Sequence, residues 1–217
     1  MKKLLTILCF VTAVAQAQDT LEADHTFYTS YFAISAHIPV LVTYTLRKER
    51  VICKNHIVRT NNFREDPIYE GTNLKNDYTH NGYDKGHNMP AEDNICSAIG
   101  MSECFYYDNM YPQTPNLNRG IWKKLEVQER HKAIDNDSII VFIGSYGRSG
   151  TIGNDNVFVP AMCWKAIYVF ATRQWEIHIF TNDDDAKETD LTDAQRAWVY
   201  YIINHFTGYN PKKLTIK

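Results

Sequence analysis

Cysteine, proline and glycine are scarce, at 5, 7 and 10 of 217 residues. No two cysteines have Cys-x-x-Cys spacing, which argues against a thiolate zinc site and against thioredoxin-like redox chemistry. No internal repeat, low-complexity tract or Pro/Gly-rich linker divides the chain, so it reads as one α+β domain. A basic surplus is also missing: 23 Lys and Arg stand against 25 Asp and Glu. Proteins that hold nucleic acid through counterion release usually carry such a surplus. Any polyanion contact is therefore expected to be local to a cleft and transient. Beyond the N-terminus no stretch is apolar and long enough to cross a membrane.

Lys2 and Lys3 precede an apolar run from Leu4 to Val14, and Ala15-Gln16-Ala17 forms a small-x-small cleavage site. Residues 1–17 are expected to be a signal peptide and 18–217 a single mature domain, secreted or periplasmic. Cys9 falls in the leader, leaving Cys53, Cys96, Cys104 and Cys163. Export permits disulfides among these four, with Cys96 and Cys104 nearest in sequence, while buried free thiols are equally compatible. The 44% hydrophobic and 22% charged fractions are those of a folded globular chain.

Val40, Val42, Tyr44 and Leu46 alternate with Leu41, Thr43 and Thr45, the period of a strand. A second extended segment is expected around Val51–Val58. Residues 60–82, rich in Asn, Asp, Gly and Thr, predict a long loop leading to Asp84-Lys85-Gly86-His87. Phe105 to Tyr111 reads as a strand ending near Pro112. From Leu117 the pattern turns helical, with Leu117, Ile121 and Leu125 facing inward. Ser138–Gly144 is nearly continuous apolar, as in a strand buried on both faces, and Gly and Asn break the chain through 147–156. Strands follow around Val157–Phe170 and Trp175–Thr181. Asp183-Asp184-Asp185 reads as a solvated loop with too few ligands for calcium. Thr192-x-x-Gln195 is a capping box that opens a last helix, which buries Trp198, Val199, Ile202, Ile203 and Phe206 and ends at Gly208.

Asn118, Trp122, Glu126 and Arg130 recur every four residues, so a continuous helix would line an amide, a carboxylate and a guanidinium along one stripe. Taken alone, Glu126 and Arg130 read as a surface ion pair, Asn118 as a helix cap, and His87 as a turn residue after glycine. Taken together, they are the parts for metal-assisted attack on a phosphodiester. Histidine supplies the base. A divalent ion and cationic side chains neutralise charge on the phosphoryl oxygens. Mg²⁺ keeps most of its waters and takes few protein oxygens, which suits one amide oxygen and one nearby carboxylate.

Three segments occur in an order that resembles the DNA/RNA non-specific endonucleases, the ββα-metal nucleases whose signature is Asp-Arg-Gly-His. They are Tyr83-Asp84-Lys85-Gly86-His87-Asn88-Met89-Pro90-Ala91, Asn109-Met110-Tyr111-Pro112-Gln113, and Leu117-Asn118-Arg119-Gly120-Ile121-Trp122-Lys123-Lys124-Leu125-Glu126. The strand ending at Gly144 and Val159-Pro160-x-x-x-Trp164-Lys165 fit as well, so the resemblance runs from about Val40 to about Thr181. It implies an α+β fold with a central antiparallel sheet flanked by helices. It implies His87 as general base and Asn118 as the direct protein ligand to one Mg²⁺, with Mn²⁺ as a substitute ion. Glu126 would orient water at the metal, Arg130 would stabilise charge on the phosphate, and Asn109 would play a supporting part. DNA and RNA are the implied substrates, 5′-phosphate ends the products, and monomer and homodimer both remain open.

Lys85 stands where this family has arginine. Lysine keeps the charge and loses the planar fork, which predicts reduced rate or altered substrate preference rather than inactivity. The region from about Asp183 follows the pattern poorly. A catalytically impaired nucleic-acid binder of the same fold and a metal phosphodiesterase for smaller substrates are the alternative readings.

Overall fold

In the computed structural model, residues 19–69 and 74–210 are described; the expected signal peptide lies outside them. Seven antiparallel strands form the main sheet in the order β1-β2-β3-β6-β7-β8-β9. They are β1 (Thr20–Asp24), β2 (Thr29–Ala33), β3 (Ile38–Arg47), β6 (Ser138–Ile152), β7 (Val157–Val169), β8 (Gln174–Thr181) and β9 (Glu188–Thr189). A separate antiparallel pair joins β4 (Asp84–His87) to β5 (Met110–Gln113). Among the described residues the α-helices of six residues or more are α1 (Ala98–Glu103), α2 (Lys123–Asp135) and α3 (Asp193–Thr207). The fold is α+β, with a mostly antiparallel sheet carrying helices.

The centre of the sheet follows from apolar content. Ile139, Val141, Phe142 and Ile143 of β6 are fully buried, as is Leu41 of the neighbouring β3. Alternation along β7 places the two long helices on opposite faces. Lys165 reaches Glu129 of α2, whereas Met162, on the other face, meets Gln195 of α3. The capping box forms at Thr192 and Gln195, and Gly208 closes α3 in the left-handed conformation with φ of 72°.

Three segments depart from the pattern expected of them. Val51–Val58 is not a strand: Lys48–Val51 makes one helical turn and the chain then runs irregularly to a disulfide between Cys53 and Cys96. Cys104 and Cys163 stay reduced and buried, so the nearest pair in sequence does not form. Phe105 to Tyr111 is not a strand throughout: Tyr107–Asn109 makes a 3-10 turn, and β5, whose ladder holds Asp84–His87, begins only at Met110. The helix after Leu117 is not continuous. Leu117–Trp122 forms a π-turn in which Gly120 leaves helical geometry (φ −100°, ψ −109°) before α2 begins.

Candidate active site

Gly86 explains the tightness of the motif. A Cβ there would overlap the side chain of Gln113 across the β4–β5 pair, so a larger residue would have to displace that side chain. The ladder then fixes His87 opposite Met110. His87 is buried between two aromatic edges, with ring centroids 5.6 Å from Phe63 and 4.9 Å from Phe105. Its ring bonds the Lys85 backbone, while Nε2 is buried without a hydrogen-bond partner. That arrangement favours the tautomer with a proton on Nδ1 and a lone pair on Nε2. Burial, and then the Arg59 charge, push the His87 pKa down to about 3. The ring is therefore neutral, as a base requires, although far from the near-neutral poise expected of the sequence.

Each aromatic wall carries a cation. Lys85 Nζ lies 5.1 Å from the Phe63 centroid, and the Arg59 guanidinium 4.9 Å from that of Phe105. Arg59 also pairs loosely with Glu92 at 3.4 Å. Burial lowers the Lys85 pKa, with Asp84 opposing it. The Lys85 ammonium thus shares the Phe63 wall with His87 and makes no hydrogen bond to its Nε2.

Asp84, on the same strand, organises the candidate metal ligand. Asn118 Nδ2 donates to Asp84 Oδ2 at 2.9 Å, and Arg119 Nε donates to the same oxygen at 2.7 Å. Burial alone would raise the Asp84 pKa, but these bonds lower it and keep the group ionised. With its nitrogen occupied, Asn118 presents Oδ1 as the end that accepts, the atom type a hard cation takes. The kink at Gly120 makes Asn118 available: the π-turn moves it off the continuous stripe and lets Trp122 Nε1 donate to the His87 carbonyl at 3.2 Å. The turn that carries Asn118 and the strand that carries His87 are thereby joined.

Beyond the kink, Glu126 is buried, and burial pushes its pKa up to about 8 against the pull of Lys165. Glu129 and Asp93 add to the rise. Arg130 does not bond Glu126 as an i, i+4 pair. It turns instead to the fully buried Asp93, Nη1 to Oδ1 at 3.0 Å, and Tyr44 donates to the other Asp93 oxygen at 2.9 Å. Asn109 is fully buried and its amide is committed to backbone. Oδ1 accepts from the Met89 amide at 2.8 Å, while Nδ2 donates to the carbonyls of Met89 (2.9 Å) and Cys104 (2.8 Å). Both amide hydrogens and the oxygen of Asn109 are thus spent on backbone groups.

The oxygen donors present are of the kind a hard metal cation takes. Asn118 Oδ1 is oriented by an ionised carboxylate, a second carboxyl waits at Glu126, and the nearby base has an orphaned nitrogen. A separate donor set that could hold a metal lies at His25, Asp66 and Asp108, whose ligand atoms fall within 4.8 Å of one another. There His25 Nε2 already meets Asp108 at 2.8 Å and Asp66 at 3.1 Å. Burial would lower the His25 pKa, yet these two carboxylates raise it to about 9, so an imidazolium fills the place between them.

Sequence reasoning missed several residues. Asp84 stood inside the recognised motif without a role, and only the fold shows it gripping Asn118. Arg59 and Phe63 come from an irregular segment and Asp93 from the short 3-10 turn Ala91–Asn94, and none carries a spacing signal. Glu129 sits one residue from Arg130, but its partner Lys165 is 36 positions away.

A model of the family described as DNA/RNA non-specific endonuclease matches residues 10–215. Among curated relatives, a nuclease of a Nostoc species is 31% identical over 114 residues, 51% of this chain and 42% of that protein. Human mitochondrial endonuclease G is 30% identical over 125 residues, 50% of this chain and 41% of that protein. The chain therefore spans less than half the length of these relatives. A chain from the crystal structure of the EndoG/EndoGI complex superposes with a TM-score of 0.75 at 22% identity, over 90% of this chain and 89% of that one, a likeness of fold. The chain belongs to the DNA/RNA non-specific endonuclease family.

Proposed function

We propose that this chain is an exported, Mg²⁺-dependent endonuclease that hydrolyses phosphodiester bonds of DNA and RNA to 5′-phosphate ends. The observation that carries the reading is the neutral, buried His87 with an unpartnered Nε2, tied through Trp122 to the turn that presents Asn118. His87 Nε2 takes the proton as the water oxygen bonds phosphorus, and the P–O3′ bond breaks, the 3′ oxygen taking a proton from solvent and the phosphate staying on the 5′ side. A phosphodiester beside the ring brings negative charge that offsets Arg59, so the His87 pKa rises when substrate binds. Asn118, with Glu126 nearby, would hold Mg²⁺, which supplies charge neutralisation at the phosphoryl and leaving oxygens. Lys85 and Arg59 draw the backbone phosphates to the aromatic walls, which lets a chain of net charge −2 engage a polyanion locally. Arg130 sets the positive potential beneath the scissile phosphate while Asp93 holds it in place. Asp84-Lys85-Gly86-His87 acts as a variant of the Asp-Arg-Gly-His signature.

Export is supported by the leader pattern at residues 1–17 and by the Cys53–Cys96 disulfide, a bond suited to an oxidising compartment. Among the described residues no helix is long and apolar enough to cross a membrane. The test incubates purified protein with plasmid DNA and with RNA, in Mg²⁺ or chelator, beside His87→Ala. Cleavage of both substrates that needs Mg²⁺ and His87 is expected. Hydrolysis of small phosphodiesters only, or binding without cleavage, would overturn the reading.

A further inference from the structure

Lys165 has no part in the chemistry above, yet it is a fully buried cation. It sits in β7 opposite Ile143 and His178, inside the sheet rather than at a mouth. Its Nζ lies 2.9 Å from Glu129 Oε2, with both side chains at 0% exposure. The same nitrogen stands 4.7 Å from the Trp122 ring centroid. Trp122 is the residue whose indole N–H holds the His87 carbonyl, and Glu129 lies on α2 with Glu126 and Arg130.

We infer that Lys165 is a positioning residue for the proposed nuclease site, clamping Trp122 with one contact and α2 with the other. The inference rests on the nuclease reading of the site, but its geometry stands by itself. Three carboxyls, Asp93, Glu126 and Glu129, are buried around two cations, Lys165 and Arg130. Arg130 is taken by Asp93. Lys165 is left to face the other two, and its ammonium bonds Glu129 directly. A buried ion pair seldom adds net stability over an apolar pair of like volume. An ammonium held against an indole face does fix where that ring sits. The lysine therefore serves the register of Trp122 between His87 and α2 more than it serves the stability of the core.

Lys165→Met alone strands the Glu129 carboxylate and threatens folding, so the informative variant is the apolar pair Lys165→Met/Glu129→Leu. Two readouts follow it besides thermal melting. In the first, cleavage of a short duplex under saturating Mg²⁺ separates kcat from KM. In the second, the His87 ring resonances are followed by NMR, assigned by their loss in His87→Ala, and no activity is needed. The double variant should melt at or above the wild-type temperature, lose about tenfold or more in kcat with KM changed less than about threefold, and shift the His87 resonances. A double variant with wild-type kcat, or with unmoved His87 resonances, overturns the inference. So does one that fails to fold, since the pair would then be an element of stability. If the wild-type protein cleaves nothing, the nuclease reading fails by itself, and the His87 resonances still decide whether Lys165 positions that residue.

Discussion

Removing the Cys53–Cys96 disulfide should lower stability far more than it lowers turnover. The bridge spans 43 positions, and the enclosed segment holds Arg59, Phe63, Asp84, Lys85, His87 and Asp93. Opening a loop of that size releases chain entropy in the unfolded state of about 4 kcal/mol at 25 °C. For a chain of this length, each kcal/mol moves Tm by about 2–4 °C, so a drop of about 8–16 °C is expected. The folded segment keeps other anchors: the β4–β5 ladder, the Asn109 bonds to Met89, and the Ile57 amide on the Ile95 carbonyl at 2.7 Å. Cys53→Ser/Cys96→Ser, melted by circular dichroism and assayed at 25 °C, should therefore retain most of its rate while losing Tm. A Tm within about 2 °C of wild type would refute the entropic reasoning. A collapse of activity in a variant still folded at 25 °C would show that the bridge shapes the native site instead.

Asn109→Ala should cost about 3 kcal/mol or more, because it strands the Met89 amide and the carbonyls of Met89 and Cys104 in a buried site. Urea unfolding measures the loss, and an Asn109→Asp variant, which keeps the acceptor and loses the donors, should not restore it. The His25 triad gives stability a pH dependence. Its folded pKa of about 9 lies above the ordinary 6.5, so the contribution is complete below pH 6.5 and fades as pH rises through 9. Urea midpoints at pH 6 and pH 9.5 should therefore converge when wild type is compared with His25→Gln, and a constant gap would exclude the triad as the source. Lys85→Arg should keep or raise cleavage, because a planar guanidinium can grip phosphate with two hydrogen bonds. A fall of tenfold or more would mean that the Phe63 contact requires an ammonium.

Much of this site was legible as an ordered set of residue types, and less of it as geometry. The central strand announced itself through Ile139 to Ile143, and α3 through its capping box, because burial and caps leave local marks. His87 and Asn118 could be named from the motif, but spacing alone put Asn118 on a continuous stripe with Glu126. Gly120 breaks that stripe, and a single glycine within a helical pattern does not reveal whether the helix bends. Arg130 and Glu126 taken alone read as an ion pair, whereas Arg130 is held by Asp93, a residue 37 positions earlier that spacing cannot reveal. The second strand around Val51–Val58 failed for a similar reason: the disulfide and the turn at Lys48–Val51 override its propensity.

The most direct test of the central claim is the initial rate of supercoiled plasmid nicking by wild type and by Asn118→Ala across a Mg²⁺ titration. The account predicts saturable, chelator-sensitive nicking by the wild type, and a rate at least about a hundredfold lower for Asn118→Ala at every Mg²⁺ concentration. Equal rates for the two proteins, or undiminished nicking in chelator, would contradict it.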